Sequence, residues 1–131
     1  MRSSRATVIG LRTESDHVLS VVAPVGLAAA AARPALVIDL DPGGPPYPGT
    51  RSLADLVDEG PTRAELLPGI PGAHGAGVAL LRNGGVGWER ALPMVEALAQ
   101  RWPAVVLRLP VSPEPWPWPV VPVVCLLPGI L

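Results

Sequence analysis

Two kinds of apolar run alternate along the chain. Thr7-Val8-Ile9-Gly10-Leu11, Ala35-Leu36-Val37-Ile38-Asp39-Leu40, Val78-Ala79-Leu80-Leu81 and Ala104-Val105-Val106-Leu107 are short and nearly all apolar. Such runs read as strands buried on both faces, as in a parallel sheet, and not as strands with one wet face. Val120–Leu127 is a fifth strand candidate, and Pro122, lacking an N–H for the ladder, restricts it to an edge or a strand start. Between the first two runs, Arg12 to Asp16 is polar and predicts a loop, with Ser15 or Asp16 able to cap a following helix. Val18, Val21, Val22, Val25, Ala28, Ala29 and Ala32 then recur at helical spacing, with a kink expected at Pro24. The valine-rich stretch His17–Ala23 also fits a strand.

Two capping boxes follow. Ser52 with Asp55 opens a helix over Ser52–Asp58, and Thr62 with Glu65 opens another over Thr62–Leu67; in each the hydroxyl accepts from a backbone N–H while the acid reaches back. Trp88–Trp102 is the clearest helix, with Leu92, Val95, Leu98, Ala99 and Trp102 on one face. Pro45–Thr50, Gly69–Gly77 and Asn83-Gly84-Gly85 read as loops and turns. Ser112–Pro119 alternates proline with tryptophan and predicts a stiff, extended connector. The organisation is a polar arm over 1–5 and one domain over 6–131, with 111–119 as a Pro/Trp-rich connector. Strands alternating with helices imply an α/β fold: a doubly wound, mostly parallel sheet of about five strands with helices on both faces.

Composition narrows the function classes. The chain has 131 residues, a net charge of −1 and 10 basic residues, all arginine. No lysine is present to neutralise a phosphate or form a Schiff base. The near-neutral charge argues against a nucleic-acid surface, since only Arg2, Arg5 and Arg12 are locally clustered. Cys125 is the one cysteine, so no intrachain disulfide forms, and its apolar surroundings make it a small buried hydrophobe. His17 and His74 share no ligand spacing, so no metal is expected. No secretory leader is visible, and Val120–Leu131, broken by Pro122 and Pro128, falls short of the roughly 20 apolar residues of a membrane span. A cytoplasmic location is the expectation.

Several of these segments, in this order, resemble the ParA/MinD partitioning ATPases, which are SIMIBI-type P-loop proteins. The resemblance is greatest to the actinobacterial and pilus-associated (TadZ/CpaE-like) branches. Val8-Ile9-Gly10-Leu11 matches the family's first strand, and Val37-Ile38-Asp39-Leu40-Asp41-Pro42 its second strand with an Asp-x-Asp-Pro end. Ser52-Leu53-Ala54-Asp55-Leu56-Val57-Asp58, Arg63-Ala64-Glu65-Leu66-Leu67 and Gly77-Val78-Ala79-Leu80-Leu81 match the two helices and the strand that follow. Leu92 to Pro110 matches the helix and strand that end in an acidic "DLP". The resemblance covers about residues 6–110. It implies a P-loop-NTPase-like fold whose further strands lie beyond the match, so that an edge strand of this sheet needs cover.

The departures fall on the nucleotide site. A phosphate loop needs glycines to wrap the phosphates, a lysine for the β/γ oxygens and a Ser/Thr for Mg²⁺. The stretch Arg12-Thr13-Glu14-Ser15-Asp16-His17-Val18-Leu19-Ser20 has no glycine and no lysine, and sets Glu14 and Asp16 where a polyphosphate would lie. Such carboxylates repel phosphate by several kcal/mol in a partly dry site. Arg108 stands where the family keeps an acid. The resemblance thus implies a vestigial nucleotide site of Glu14, Asp16, Asp39, Asp41 and Arg108, without Walker A motif, catalytic residue or cofactor. Arg108 is expected within salt-bridge range of Asp39 or Asp41; Asp39 is expected to pair with an arginine such as Arg108, and Asp41 to cap the turn at Gly43.

The function so implied is a non-catalytic pseudo-ATPase acting as a protein-binding or scaffold module. Its setting would be the positioning or assembly of a secretion, pilus, partitioning or division machine, with a protein partner or a second copy. Two alternatives stay open: a small ligand-binding or catalytic module using Asp39/Asp41 with the Gly43-Gly44 and Gly84-Gly85 loops, and a decayed ATPase fragment. Trp116 and Trp118 are either a candidate interface presented on the stiff connector or indoles folded back into the core.

Overall fold

The computed structural model describes residues 7–13, 17–31, 34–60, 72, 77–110 and 115–123. These hold, in chain order, β1 (Thr7–Thr13), α1 (His17–Ala30), β2 (Ala35–Asp39), α2 (Leu53–Glu59), β3 (Val78–Leu81), α3 (Trp88–Ala99), β4 (Ala104–Arg108) and β5 (Val120–Val123). The five strands form one sheet in the order β3-β2-β4-β1-β5, with every pairing parallel. The fold is therefore the α/β class expected, with β2, β4 and β1 in the middle.

Strand alternation divides the core into two layers. Leu36 and Ile38 of β2, with Val105 and Leu107 of β4, turn to one face and pack on Leu53 and Leu56 of α2 and on Met94, Val95 and Leu98 of α3. Ala35 and Val37, with Ala104 and Val106, turn to the other face beneath α1, where Ala28 is buried and Val21 and Val25 are half-buried. Both sides of each central strand thus meet apolar cover, which is why these runs are continuously hydrophobic.

Residues 17–23 are helical, and the strand alternative fails because β4 and β5 already occupy both sides of β1. Pro24 sits inside α1, where it has no N–H to give the Ser20 carbonyl. Arg12 and Thr13, expected in a loop, instead prolong β1: Gly10–Thr13 lie in register with Val120–Val123, and the partner strand draws them into the ladder. The Ser52/Asp55 box forms as expected, with Asp55 N donating to Ser52 Oγ at 3.2 Å and Ser52 N to Asp55 Oδ2 at 2.9 Å. The box of Thr62 with Glu65, the helix over 62–67, His74 and Cys125 all lie outside the described residues, as do β5 candidate positions 124–127.

α3 is rotated from the expected face. Ala91, Met94, Val95 and Leu98 are buried, while Leu92 and Ala99 are only half-buried. The helix also stops at Ala99, short of Trp102. Pro103 disfavours helical backbone at Trp102, whose N–H still reaches Leu98 O at 3.1 Å and whose indole turns into the core.

The step from β4 to β5 passes β1 with no helix among its described residues. Instead Trp116 and Trp118 pack edge-on against Trp88, with ring centroids 5.2 and 6.2 Å away. They join the α3-side core as half-buried members, covering the sheet where a crossover helix would lie. The connector bends at Pro117-Trp118 and is not the straight strip expected, because both indoles are drawn inward to Trp88. At the sheet margin, Gly10 N donates to Pro119 O at 2.8 Å. Ladder alternation then faces Val121 toward β1 and Pro122 outward, so the outer edge of β5 lacks a donor there. No helix among the described residues is long and apolar enough to cross a membrane.

Gly10 is where the crossover presses on β1. A Cβ there would meet Leu109 Cδ1 at 2.7 Å and Pro119 O at 3.5 Å, and Leu109 is itself buried. Gly10→Ala is expected to lower unfolding free energy by about 1–3 kcal/mol, the usual range for overpacking; a denaturant midpoint equal to wild type would refute this tight fit.

Candidate functional site

In a doubly wound sheet, ligands bind outside the carboxyl ends of the strands, where neighbouring connections leave in opposite directions. Here that point lies between β1, which leads through α1 to β2, and β4, which leads away to β5. Arg108 ends β4. Parity places it: Ala104, Val106 and Arg108 share the α1 face, as do Ala35, Val37 and Asp39, and Asp39 is the register partner of Arg108.

The Arg108 side chain lies at the carboxyl ends of β4 and β2, beside α1 and the connection after β2. Nη1 donates to Asp39 Oδ2 at 3.0 Å and to Pro45 O at 2.5 Å, and Nη2 donates to Ser20 Oγ at 3.3 Å. The guanidinium lies over the Tyr47 ring, 5.3 Å from its centroid. Arg108 and Asp39 are each 1% exposed, so both charges are out of water. A pair so buried is offset by further hydrogen bonds to most of its remaining groups. Asp39 Oδ1 accepts from Asp41 N at 2.9 Å, and Asp41 Oδ1 accepts from Gly43 N at 3.0 Å. The expected pair and the expected turn cap are thus both formed. A Cβ on Gly44 would crowd Arg108 Nη2 and Asp41 Oδ2, so any larger residue there requires these side chains to shift.

Burial pushes the Asp39 carboxyl up to about 6, helped by the neighbouring Asp41 charge; the Asp41 N–H and the Arg108 guanidinium pull it back only in part. At neutral pH the pair is ionised. Burial likewise raises the Tyr47 phenol above its ordinary value, opposed by Arg108 and reinforced by Asp39. The phenol donates to Val21 O of α1 at 2.7 Å.

Asn83, at the end of β3, braces the same corner. Its Nδ2 donates to Asp39 O and Val86 O, both at 2.9 Å, while its Oδ1 accepts from Gly85 N at 2.7 Å and Val86 N at 2.8 Å. Gly84 and Gly85, at φ 76° and 101°, make the turn this requires, and a Cβ on Gly84 would strike Ser52. The Gly84-Gly85 loop is therefore a structural turn braced on α2.

Of the residues singled out from sequence, Asp39, Asp41 and Arg108 come together. Glu14 and Asp16 lie outside the described residues. Trp116 and Trp118 lie on the α3 face, away from this cluster. Tyr47, Ser20 and Asn83 were not foreseen; the only available signal for Tyr47 was a lone aromatic in a Pro/Gly loop. Asp39 is held by Arg108 and the Asp41 N–H, and Asp41 Oδ1 accepts from the Gly43 N–H. Among the described residues no three His, Cys, Asp or Glu cluster as metal ligands would. An apolar cleft of about 130 Å³, lined by Ile9, Leu27, Ala30, Ala31 and Ala104, opens at the opposite, amino end of the strands.

Arg108→Met should cost about 3–5 kcal/mol of stability, because Asp39 then has either to stay charged without a partner or to take up a proton in a dry site. Asp39→Leu combined with Arg108→Met should recover most of that loss, and denaturant unfolding of the two single variants and the double variant measures it. A neutral Arg108→Met would show that the pair does not hold the corner. Carboxyl NMR should find Asp39 titrating near 6, against an ordinary 3.8. The native state then holds this proton more tightly than the unfolded chain. Its contribution to stability is full below about pH 3.8 and is lost as pH rises through about 6; an Asp39 midpoint below 3.8 would reverse that sign.

The sequence matches no protein-family model and no curated protein, and the structure matches no solved structure.

Proposed function

We propose that the chain is a non-catalytic, ParA/MinD-like pseudo-ATPase whose nucleotide crevice is filled by its own arginine, and that it acts as a protein-binding or scaffold module. The observation that carries this reading is Arg108, buried at the switch point and neutralised by Asp39. A guanidinium already bonded to a carboxylate, a carbonyl and a hydroxyl has little left to offer a phosphate. The order of strands and acidic turns that resembles the family supports the same reading, as does the lack of lysine. The setting that follows is the cytoplasmic positioning or assembly of a secretion, pilus, partitioning or division machine.

Support for a protein partner or a second copy comes from α1. It contains no Asp, Glu, Lys or Arg, yet Val18 and Val22 are 72% and 52% exposed. A helix apolar on both sides is ordinarily covered on both.

Calorimetry with ATP and GTP at millimolar concentration should give no binding heat, and micromolar affinity would overturn the pseudo-ATPase reading. Sedimentation velocity supplies the second arm. Val22→Glu should reduce association while leaving the unfolding midpoint near wild type. Trp116→Ala with Trp118→Ala should instead lower the midpoint, because both indoles pack on the core. Association lost only in the tryptophan variant would move the interface to the connector.

A further inference from the structure

From Asp41 to Thr50 the chain runs off the sheet as a proline- and glycine-rich segment, and Tyr47 is its one buried residue. Each end is pinned. The near end is held by the turn in which Gly43 N donates to Asp41 Oδ1. The far end is held by Arg82, whose Nε donates to Gly49 O at 2.8 Å and whose Nη2 donates to Thr50 O at 3.3 Å. Between the pins, Pro45, Pro46 and Pro48 are exposed and carry no N–H with which to hold on. The described contacts that fasten this span are the Pro45 carbonyl on Arg108 and the Tyr47 side chain, which lies between the guanidinium and the Val21 carbonyl and packs into the apolar layer of Leu11, Val37 and Val106.

The mechanics follow from residue type. Proline fixes φ, so Pro45–Pro48 resists bending internally. Gly43-Gly44 on one side and Gly49 on the other, the latter at φ 134°, have no Cβ to limit rotation. A stiff plate between two permissive points, fastened by one aromatic side chain and one carbonyl, moves as a unit when those fastenings exchange for water.

We infer that Pro45–Pro48 is a hinged flap, latched shut by Tyr47, that gates solvent access to the buried Arg108–Asp39 pair. The inference rests on the proposed function for the crevice being filled by Arg108, and supplies its regulation. When the flap lifts, Arg108 gives up the Pro45 carbonyl and the aromatic face but keeps Asp39 and Ser20, so the sheet below stays intact while an ionic cleft opens to water. The Tyr47–Val21 bond, the charge-assisted bond from Arg108 to the Pro45 carbonyl, the cation–π contact and the burial of the ring together favour closure by about a thousandfold or more. The open form is then a rare state.

Tyr47 is the only tyrosine, so nitration with tetranitromethane reads the flap alone. In the native full chain Tyr47 should nitrate faster than the amides of β2 and β4 exchange with solvent. Gly49→Ala strains the closed form, because side chains rarely tolerate φ 134°, and should accelerate nitration about fivefold or more with the β2 and β4 amides unchanged. Tyr47→Phe keeps the ring and removes the latch bond; exchange at the Gly44 and Gly49 amides should rise about fivefold. Nitration no faster than sheet exchange, or no response to Gly49→Ala, would show that the segment opens only with the whole fold and would overturn the gate. Nucleotide binding by wild type together with the expected nitration pattern would overturn the pseudo-ATPase reading and leave the gate standing.

Discussion

A guanidinium sealed from water at the end of a central strand must find an anion and several acceptors nearby, and the arrangement around Arg108 follows from that demand. The anion is Asp39, its register partner on β2. A slip of one residue between β2 and β4 would turn one of the two charges to the opposite face, so the pair ties strand register to charge balance. The acceptors come from elsewhere: Ser20 on α1 and the Pro45 carbonyl on the β2–α2 connection. Gly44, having no side chain, lets that connection come this close without displacing Arg108 or Asp41. One buried charge thereby fixes two strands, a helix and a loop. Of the Arg108 nitrogens, Nε has no hydrogen-bond partner among the described residues.

The two faces of the sheet are finished by different chemistry. The α1 face ends in the ionic cluster and an aromatic lid. The opposite face is closed by Leu, Met and Val side chains of α2 and α3, and beyond them by three indoles meeting edge to face. Tryptophan is suited to that margin, since each ring covers a large area without the residues a helix would need. The cost is that the Trp116 Nε1 hydrogen finds no acceptor among the described residues. Beside it, Pro122 leaves β5, the margin of the sheet among the described residues, one donor short for another strand.

Much of this was legible in the sequence. Four of the five strands and the capped helix at Ser52 follow from local pattern, because apolar runs and capping boxes are short-range signals. The pairing of Arg108 with Asp39 follows from strand parity once the two strands are taken as close neighbours. What was not legible depends on contacts distant in sequence. Arg12 and Thr13 look like loop until β5 lies beside them. The face of α3 is set by which residues meet α2 and the sheet, so Met94 is buried where Leu92 is not. Tyr47 is drawn inward by a cation 61 positions away, and nothing around Pro46 or Pro48 announces that.

Asn83 carries a consequence of another kind. It is followed by Gly84, and an asparagine before glycine is the arrangement most open to spontaneous deamidation, in which the glycine nitrogen attacks the side-chain carbonyl. In the native fold the carboxamide is buried and held by four hydrogen bonds, and its two donors point at carbonyl oxygens. The attacking geometry is unavailable until the corner comes apart. Each unfolding event therefore exposes the chain to chemical ageing at this one position. The aspartate so formed would set a carboxylate against the Asp39 and Val86 carbonyls, where only a donor fits. An aged molecule would refold less well than a fresh one and stay exposed longer, so damage here accumulates as a record of how often the protein has unfolded.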